Sequence, residues 1–156
     1  MKQIPLTQGK VALVDDDDFE VLSGYKWYCG NEGYAMRTAG TLKRGQRTIR
    51  MARFITDAPS DKQVDHIDGD RLNNQKCNLR LCSNLENCRN QRKPRIVTSS
   101  VFKGVHRHSG NKCWQAAIRH GGKQIYLGVF TDEEQAAHAY DEAAKKYHGE
   151  FALLNF

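Results

Sequence analysis

The 156-residue sequence lacks long hydrophobic runs, and none of its five cysteines belongs to a CxxC pair. No apolar stretch reaches the ~18 residues that a membrane-spanning helix needs, so we expect no membrane partner. The first residues, Met1–Pro5, contain no apolar segment after the initial lysine, and this predicts that there is no secretory signal. We therefore expect a cytoplasmic protein that is not secreted.

Three of the five cysteines, Cys77, Cys82 and Cys88, lie close together in the sequence. This leaves a zinc clip as an alternative, but the spacing is not that of a usual structural zinc site. Reduced thiols are what a cytosolic protein normally carries, so we do not expect structural zinc.

The charge is unbalanced toward the basic side. The formal net charge is +6 and the sequence pI is about 9.1, which favours an acidic partner such as nucleic acid. Residues 99–123 contain no acidic residue, whereas residues 124–156 carry six acidic residues and only two lysines. The basic part of this segment is therefore the side expected to face a phosphate backbone.

The most informative stretch runs from Val64 to Arg92. It contains Asp65-His66, then a polar loop with Asn78, then a helix whose start is marked by Ser83 and Glu86 in a capping box. Asn87 falls in the fourth position of that helix. The predicted local order is strand, loop, strand, helix.

These residue types suit a single metal site for phosphodiester cleavage. Mg²⁺ prefers oxygen ligands and is often held by one or two protein groups, which Asp65 and Asn87 would supply. Successive side chains of a strand face opposite sides, so His66 would be available as a general base. Asn78 would hold either the loop or the imidazole by hydrogen bonds.

Asp65-His66, Asn78 and Asn87 resemble the HNH motif of the ββα-metal nucleases, in its phage and intron homing form. The resemblance implies that Asp65 and Asn87 bind one Mg²⁺ or Mn²⁺ ion, that His66 is the general base, and that Asn78 braces the site. The last position is Asn rather than His, which keeps an oxygen ligand. The plainer interpretation is that Asp-Gly and Asn-Asn here mark only ordinary turns.

Residues 1–60 have the pattern of a small β-rich part. Val11–Val14 predicts a strand, and Asp15–Asp18 predicts the cap and first turn of a helix that ends at Gly24; a metal site at this acidic run is the alternative. Trp27–Arg37 predicts a hairpin. A further strand is predicted from Arg47 to Ile55.

Basic residues line the last two of these predicted strands. DNA phosphates are the proposed contact, and a solvated charged face is the alternative. The residues are Arg37, Lys43, Arg44, Arg47, Arg50 and Arg53.

A basic linker, residues 94–100, separates the motif from a second module at 101–156. Strand patterns cover Phe102–His108, Trp114–His120 and Gln124–Phe130, with turns at Ser109–Asn111 and Gly121-Gly122. A helix follows, with a capping box predicted at Thr131 and Glu134. Ala136, Tyr140, Ala143 and Tyr147 form its apolar stripe, and Gly149 suits its C-cap.

If the helix covers one face of this sheet, polar and basic side chains are left on the other. The segments FKGV, WQAAI, YLGVF, EEQAAHAYDEAA and LLNF resemble the plant AP-two/ERF DNA-binding domain. The resemblance, together with the suitability of amide and guanidinium groups for base edges, predicts a set of DNA-facing residues. The set is Lys103, His106, His108, Gln115, Arg119, Gln124 and Tyr126.

The sequence thus predicts an α+β protein. It has a β-rich N-terminal part at 1–60, an HNH ββα-metal core at 61–93, and a three-stranded antiparallel sheet packed on one helix at 101–156. The expected function is a metal-dependent homing endonuclease that cuts double-stranded DNA inside the host cell. The alternatives are a DNA-binding regulator with an inactive nuclease motif and an RNA-directed nuclease.

Overall fold

The computed structural model describes residues 1–41, 45–91, 99–108 and 112–156. Lys43 and Arg44, most of the linker and the turn predicted at 109–111 lie outside the described residues. The chain forms two compact units, Met1–Asn87 and Cys88–Phe156. The domain boundaries proposed from the sequence remain predictions.

The first unit begins with a two-stranded antiparallel ribbon. Strand β1 (Lys2–Pro5) pairs with β2 (Val11–Val14) in the register Lys2 to Val14. Helix α1 (Asp16–Ser23) follows, with Asp15 at its N-cap and Gly24 at its C-cap, as predicted. Strand β2 was predicted, whereas β1 was missed because its alternation is interrupted by Pro5.

A three-stranded antiparallel sheet comes next. It consists of β3 (Tyr28–Cys29), β4 (Ala35–Thr41) and β5 (Gly45–Arg50), with β4 in the middle. The predicted hairpin is confirmed, because Cys29 lies opposite Ala35.

The strand predicted to continue to Ile55 is wrong beyond Arg50. Residues Met51–Thr56 form helix α2 instead. Met51 is buried, and Phe54 and Ile55 pack against the same core, at the i, i+3, i+4 spacing of one helix face. Burial of this face favours the helix, and it outweighs the alternation of basic and apolar residues, which is typical of a strand.

The core of the first unit lies between these elements. Ile4, Val14, Leu22, Trp27 and Met51 are among its buried members. The indole Nε1 of Trp27 donates to the carbonyl of Leu22 at 2.8 Å, so the buried polar atom is paired.

The central motif has the predicted order of strand, loop, strand and helix. Strands β6 (Gln63–His66) and β7 (Leu79–Cys82) are antiparallel, and Asp65 lies opposite Arg80. Helix α3 (Asn84–Arg89) follows directly. The loop between the strands carries a 3₁₀ turn at Lys76–Asn78.

The second unit is a three-stranded antiparallel sheet with one long helix. Strands β8 (Val105–Arg107), β9 (Trp114–His120) and β10 (Lys123–Phe130) lie in the order β10, β9, β8. Helix α4 (Glu133–His148) packs on the sheet. Its contacts with the sheet form two apolar clusters. The first includes Val105, Ala116, Ala136 and Ala137, and the second includes Ile118, Tyr140, Ala143 and Ala144.

The N-cap of α4 is Asp132, not the predicted Thr131. The Asp132 carboxylate accepts from the backbone N–H of Glu134 at 2.8 Å, so the cap lies one residue later than the S/T-x-x-E pattern indicated. The predicted C-cap at Gly149 is confirmed, with φ of 56°.

The last residues of the chain are held on α4 by a buried carboxylate. Asp141 accepts hydrogen bonds from the backbone N–H groups of Asn155 and Phe156, and from the Asn155 side chain. Gly104 has φ of 75°, and a Cβ there would lie 1.9 Å from Cδ2 of Tyr140. Glycine is therefore required where the chain before β8 crosses α4.

No helix in the described part of the chain is long and apolar enough to cross a membrane.

Candidate functional site

Asp65 and His66 occupy the end of β6, where antiparallel pairing with β7 fixes their positions. Asp65 forms an ion pair with Arg80 directly across the ladder, and both side chains are largely buried. Arg80 donates from Nε at 2.9 Å and from Nη2 at 2.7 Å. Both of these bonds end on Oδ2 of Asp65.

His66 points to a different set of neighbours, as expected of the next residue along a strand. Its Nε2 lies 3.5 Å from Oδ1 of Asn74, and the ring of Tyr34 lies 5.9 Å away between centroids. Burial lowers the pKa of His66, although the Asn74 contact and three nearby aspartates act in the opposite direction. The ring is therefore mainly neutral at pH 7, the form that accepts a proton.

Asn74 also determines which ring nitrogen of His66 carries the hydrogen. Asn74 is 1% exposed, and its Nδ2 donates to the carbonyl of Leu72 at 3.1 Å. Its Oδ1 is thereby turned to His66, and an amide oxygen only accepts, so Nε2 of the neutral ring is the N–H. In that tautomer Nδ1 carries the lone pair.

The Asn78 side chain lies on the loop rather than on the imidazole. Its Oδ1 accepts from the backbone N–H of Asp68 at 3.0 Å, and its Nδ2 donates to Asp68 Oδ1 and to the Asn73 carbonyl, each at 2.9 Å. Of the two alternatives from the sequence, bracing the loop is the one that these contacts support.

The same loop is tied to the N-terminal part of the unit. The backbone N–H of Leu13 donates to the carbonyl of Leu72, and Asn74 donates back to Leu13, both at 2.8 Å. The carboxylate of Asp15 accepts from the Gln75 side chain at 3.2 Å and from the Lys76 backbone at 2.7 Å. The loop that positions His66 is thus anchored on β2 and on the N-cap residue of α1.

Helix α3 places Asn87, and the predicted capping box at its start is confirmed. Ser83 Oγ accepts from the backbone N–H of Glu86 at 3.3 Å, and the Glu86 carboxylate accepts from the Ser83 N–H at 2.8 Å. Asn87 is partly exposed in the second turn, and its N–H donates to the Ser83 carbonyl at 3.0 Å. The cap therefore fixes the start of the helix that carries this side chain.

Asp65 and Asn87 are oxygen donors of the kind that Mg²⁺ or Mn²⁺ accepts. Among the described residues there is no group of three or more His, Cys, Asp or Glu side chains able to hold a metal. One carboxylate and one carboxamide suit a hard cation that keeps several waters and binds substrate phosphate. The residues present therefore fit a divalent ion of this type.

Three of the arginines predicted to contact DNA, Arg37, Arg47 and Arg50, lie on the N-terminal sheet and have different surroundings. Arg47 is exposed on β5. Arg50 donates to the Glu32 carboxylate at 2.8 Å and lies over the ring of Tyr34. The guanidinium of Arg37 packs over Tyr25 at 4.1 Å, and its buried Nε has no hydrogen-bond partner among the described residues.

In the second unit, four predicted DNA-facing residues form a ladder on one side of the sheet. Arg119 lies opposite Gln124, and Gln115 lies opposite His106. Arg119 and Gln124 are exposed, as is Tyr126. A register shift between Tyr126 and Gly128 marks a bulge in β10 just beyond this set.

Two other residues of the predicted set are partly buried. The ammonium of Lys103 donates to the backbone carbonyls of Arg89 and Gln91, and burial lowers its pKa. The Nδ1 of His108 is buried and lacks a hydrogen-bond partner in the described part of the chain. Their roles in DNA binding remain predictions.

Sequence reasoning did not identify Asn74 or Tyr34 as neighbours of His66, or Arg71 as a neighbour of Tyr34. Asn73-Asn74 has the composition of an ordinary turn, and burial of one of the two amides has no signal in the sequence. Asp15 was assigned to the helix cap, but its carboxylate makes no capping hydrogen bond and contacts the loop instead, which depends on tertiary structure.

Comparison with known proteins agrees with this site. The family model described as HNH endonuclease matches residues 57–89. An uncharacterised HNH endonuclease of Acanthamoeba polyphaga mimivirus is 36% identical over 148 residues, covering 95% of this chain and 76% of the relative.

A second group of relatives shares one segment only. The AP2-like ethylene-responsive transcription factors AIL7 of Arabidopsis thaliana and CRL5 of Oryza sativa are 48% and 47% identical over 60 residues. That segment is 37% of this chain and 12% and 9% of the two plant proteins, so the chain spans about a tenth of their length. The length is close to that of the second unit, and this supports an AP2/ERF-like domain there.

The HNH residues lie at the end of β6, at the end of the loop that follows it and on α3, and the mimivirus relative aligns over nearly the whole chain. The chain therefore belongs to the HNH endonuclease family, as a DNA-binding nuclease with an AP2/ERF-like domain.

Proposed function

We propose that this nuclease is a metal-dependent DNA endonuclease of the homing type that cuts double-stranded DNA inside the host cell. The observation that carries the proposal is His66, a buried and mainly neutral histidine whose Nε2 is held by Asn74. Asp65 is the adjacent residue on the strand, and Asn87 is carried by the capped helix that follows β7.

In the proposed reaction, Nδ1 of His66 accepts a proton from the water that attacks phosphorus. A new P–O bond forms from that water, and the bond from phosphorus to the leaving oxygen breaks. Asp65 and Asn87 would hold Mg²⁺ or Mn²⁺, which supplies stabilisation of negative charge on the phosphate and the leaving oxygen. Asn78 keeps the loop after His66 in place through Asp68.

The second unit is proposed to read the target sequence. The catalytic residues address phosphate, which is the same at every base pair, so they contribute little sequence preference. Arg119 can donate two hydrogen bonds to guanine, and Gln115 or Gln124 can pair with adenine. The acidic residues concentrated in α4 would be repelled by DNA, which favours the opposite face of the sheet for docking.

Plasmid nicking with and without Mg²⁺ tests the proposal. His66→Ala should lower the cleavage rate by ~10²–10⁴-fold, because general-base catalysis is lost. DNA binding by gel shift should be unchanged, since His66 is buried and is not a surface contact.

Two outcomes would reject this mechanism. Cleavage at the wild-type rate by the His66→Ala protein would exclude His66 as the base, and nicking in excess EDTA would exclude the metal. A wild-type protein that binds DNA tightly and never nicks it would instead be the inactive regulator.

A further inference from the structure

We propose that Arg71 and Arg50, gathered on the ring of Tyr34 beside His66, bind a backbone phosphate next to the one being cut. This inference rests on the proposed function, because it concerns how the substrate strand is held at that site. It adds Arg71 and Tyr34 to the DNA-contacting residues.

Geometry places two guanidinium groups over one aromatic ring that neighbours the catalytic histidine. The Cζ atoms of Arg50 and Arg71 lie 4.3 Å and 4.7 Å from the centroid of the Tyr34 ring. The same ring lies 5.9 Å from the His66 ring. A phosphodiester positioned for attack by a water on His66 would therefore bring its neighbouring phosphate within reach of these cations.

The two guanidinium groups have different partners on Glu32. The carboxylate of Glu32 accepts from Arg50 at 2.8 Å, whereas Arg71 donates to the backbone carbonyl of Glu32. Arg71 therefore uses this bond on a neutral acceptor. A phosphate oxygen would be a charged acceptor, and it matches the guanidinium fork in geometry.

Arg71 has donors to offer to such an anion. A guanidinium carries five N–H groups, and within the described residues the only hydrogen bond from Arg71 is the one to the Glu32 carbonyl. The residue is exposed, so the remaining N–H groups face solvent. Stacking on Tyr34 restricts the side chain before a ligand arrives, which lowers the entropy cost of binding.

The backbone that carries Arg71 is also held in place. Asp68 Oδ1 accepts from the Asp70 N–H at 2.7 Å, and Asp70 Oδ1 accepts from the Leu72 N–H at 2.9 Å. The carbonyl of Leu72 accepts from Leu13 on β2 at 2.8 Å. The position of Arg71 relative to His66 is therefore set by two turns and a strand contact, as a substrate clamp requires.

The test measures DNA affinity in EDTA, where cleavage is suppressed, as a function of salt concentration. The slope of the logarithm of the association constant for DNA against the logarithm of the salt concentration is compared between wild type and Arg71→Ala. Loss of one phosphate contact should reduce the slope by about 0.9. Arg71→Lys keeps the charge and should keep the slope, while Lys26→Ala removes an equally exposed cation away from His66 and should leave the slope unchanged.

A substrate series then locates the contact. In a cleavable duplex, single phosphates around the mapped cut are replaced by neutral methylphosphonates. Wild type should lose about 10-fold in affinity at one position beside the cut, as expected for a charge-assisted hydrogen bond, and Arg71→Ala should show no further loss there. With unmodified DNA, Arg71→Ala should raise KM and leave kcat nearly unchanged.

Two results would overturn the inference. One is an equal change of slope in Arg71→Ala and Lys26→Ala, which would mean a diffuse charge effect. The other is a methylphosphonate profile that is identical in wild type and Arg71→Ala. If the slope differs between wild type and Arg71→Ala but the wild-type protein never nicks DNA, the proposed function fails while the phosphate contact stands.

Discussion

At the scale of single residues, Asn74 is the buried side chain that contacts the proposed base. It is 1% exposed, and it presents its side-chain oxygen to Nε2 of His66 at 3.5 Å. The orientation of that amide follows from its bond to the Leu72 carbonyl. The contact therefore favours the tautomer of His66 that carries the hydrogen on Nε2.

Asn74→Ala should lower kcat by on the order of 10-fold, less than the loss expected from removal of the base itself. KM should change little, because the affected group does not contact DNA. Asn73→Ala is the matched control, since Asn73 contacts Asp68 and not His66. If both variants lose the same amount of kcat, the effect comes from the loop as a whole.

Asp68 gives the loop a pH-dependent stability. Burial raises the pKa of Asp68, but hydrogen bonds from Asn73, the Asp70 N–H and Asn78 outweigh it and the net pKa is lowered. A carboxyl whose folded pKa lies below the unfolded value of ~3.9 stabilises the folded state above that pH. This contribution is lost as the pH falls through the folded pKa.

Asp68→Asn should therefore reduce the dependence of Tm on pH below about pH 4. Thermal melts between neutral pH and pH 3 measure this. Asp61→Asn, at an exposed carboxylate without these hydrogen bonds, is the control. Parallel Tm curves for wild type and Asp68→Asn would contradict the assignment.

The sequence predicted the position of the site from residue types and failed at residues whose role depends on burial. Asp65, His66, Asn78 and Asn87 are the residues proposed for the metal and acid–base chemistry, and their spacing is visible along the chain. Asn74 and Tyr34 act through contacts with residues that are distant in sequence or hidden in the core. The DNA contact of Arg37 stays a prediction, and its packing on the rings of Tyr25 and Phe54 has no signal in the sequence.

At the scale of elements, α3 depends on its cap more than on its length. It has six residues, and isolated helices of that length are not stable in water. The Ser83 and Glu86 capping box satisfies N–H groups at its start. The position of Asn87 therefore depends on hydrogen bonds that lie one turn away.

Ser83→Ala should cost about 1 kcal/mol of helix stability. Because Asn87 lies on this helix, the Mg²⁺ concentration for half-maximal nicking should rise several-fold. Ser83→Thr keeps the capping oxygen and is the control. A metal titration that is unchanged in Ser83→Ala would indicate that Asn87 is held by other contacts.

The elements also show where tertiary packing overrides the local pattern. Basic and apolar residues alternate through Arg47–Arg53, which is typical of a strand, but the chain turns into α2 at Met51. Burial of Met51 with Phe54 and Ile55 outweighs the propensity of the segment. In the second unit no such conflict exists, and all three predicted strands are present with shifts of a few residues at their ends.

At the scale of the whole molecule, cleavage and recognition are proposed to lie in different units. A chain truncated near Pro94 should still nick DNA at low salt and should lose site preference. In the full chain, Arg119→Ala should cost about 1–3 kcal/mol at its cognate base pair if the contact is bidentate.

Mapping of cleavage positions on one long DNA checks this division for both proteins. Glu150→Ala, a charge change outside the proposed reading face, serves as the control. An unchanged cleavage pattern after truncation would place recognition on the N-terminal strands and leave the second unit as an electrostatic tether.

The contact between β2 and the loop after His66 has a consequence for the order of folding. Gln75 and Asp15 are 60 positions apart, and Leu13 pairs with Asn73 over a similar separation. Closing so large a loop carries an entropy cost, so local hairpins form before such pairings. We expect the catalytic geometry to appear late in folding, and a peptide limited to residues 57–89 to lack it. Slow amide hydrogen exchange at Leu13 and Asn74 should accordingly develop together with nuclease activity during refolding.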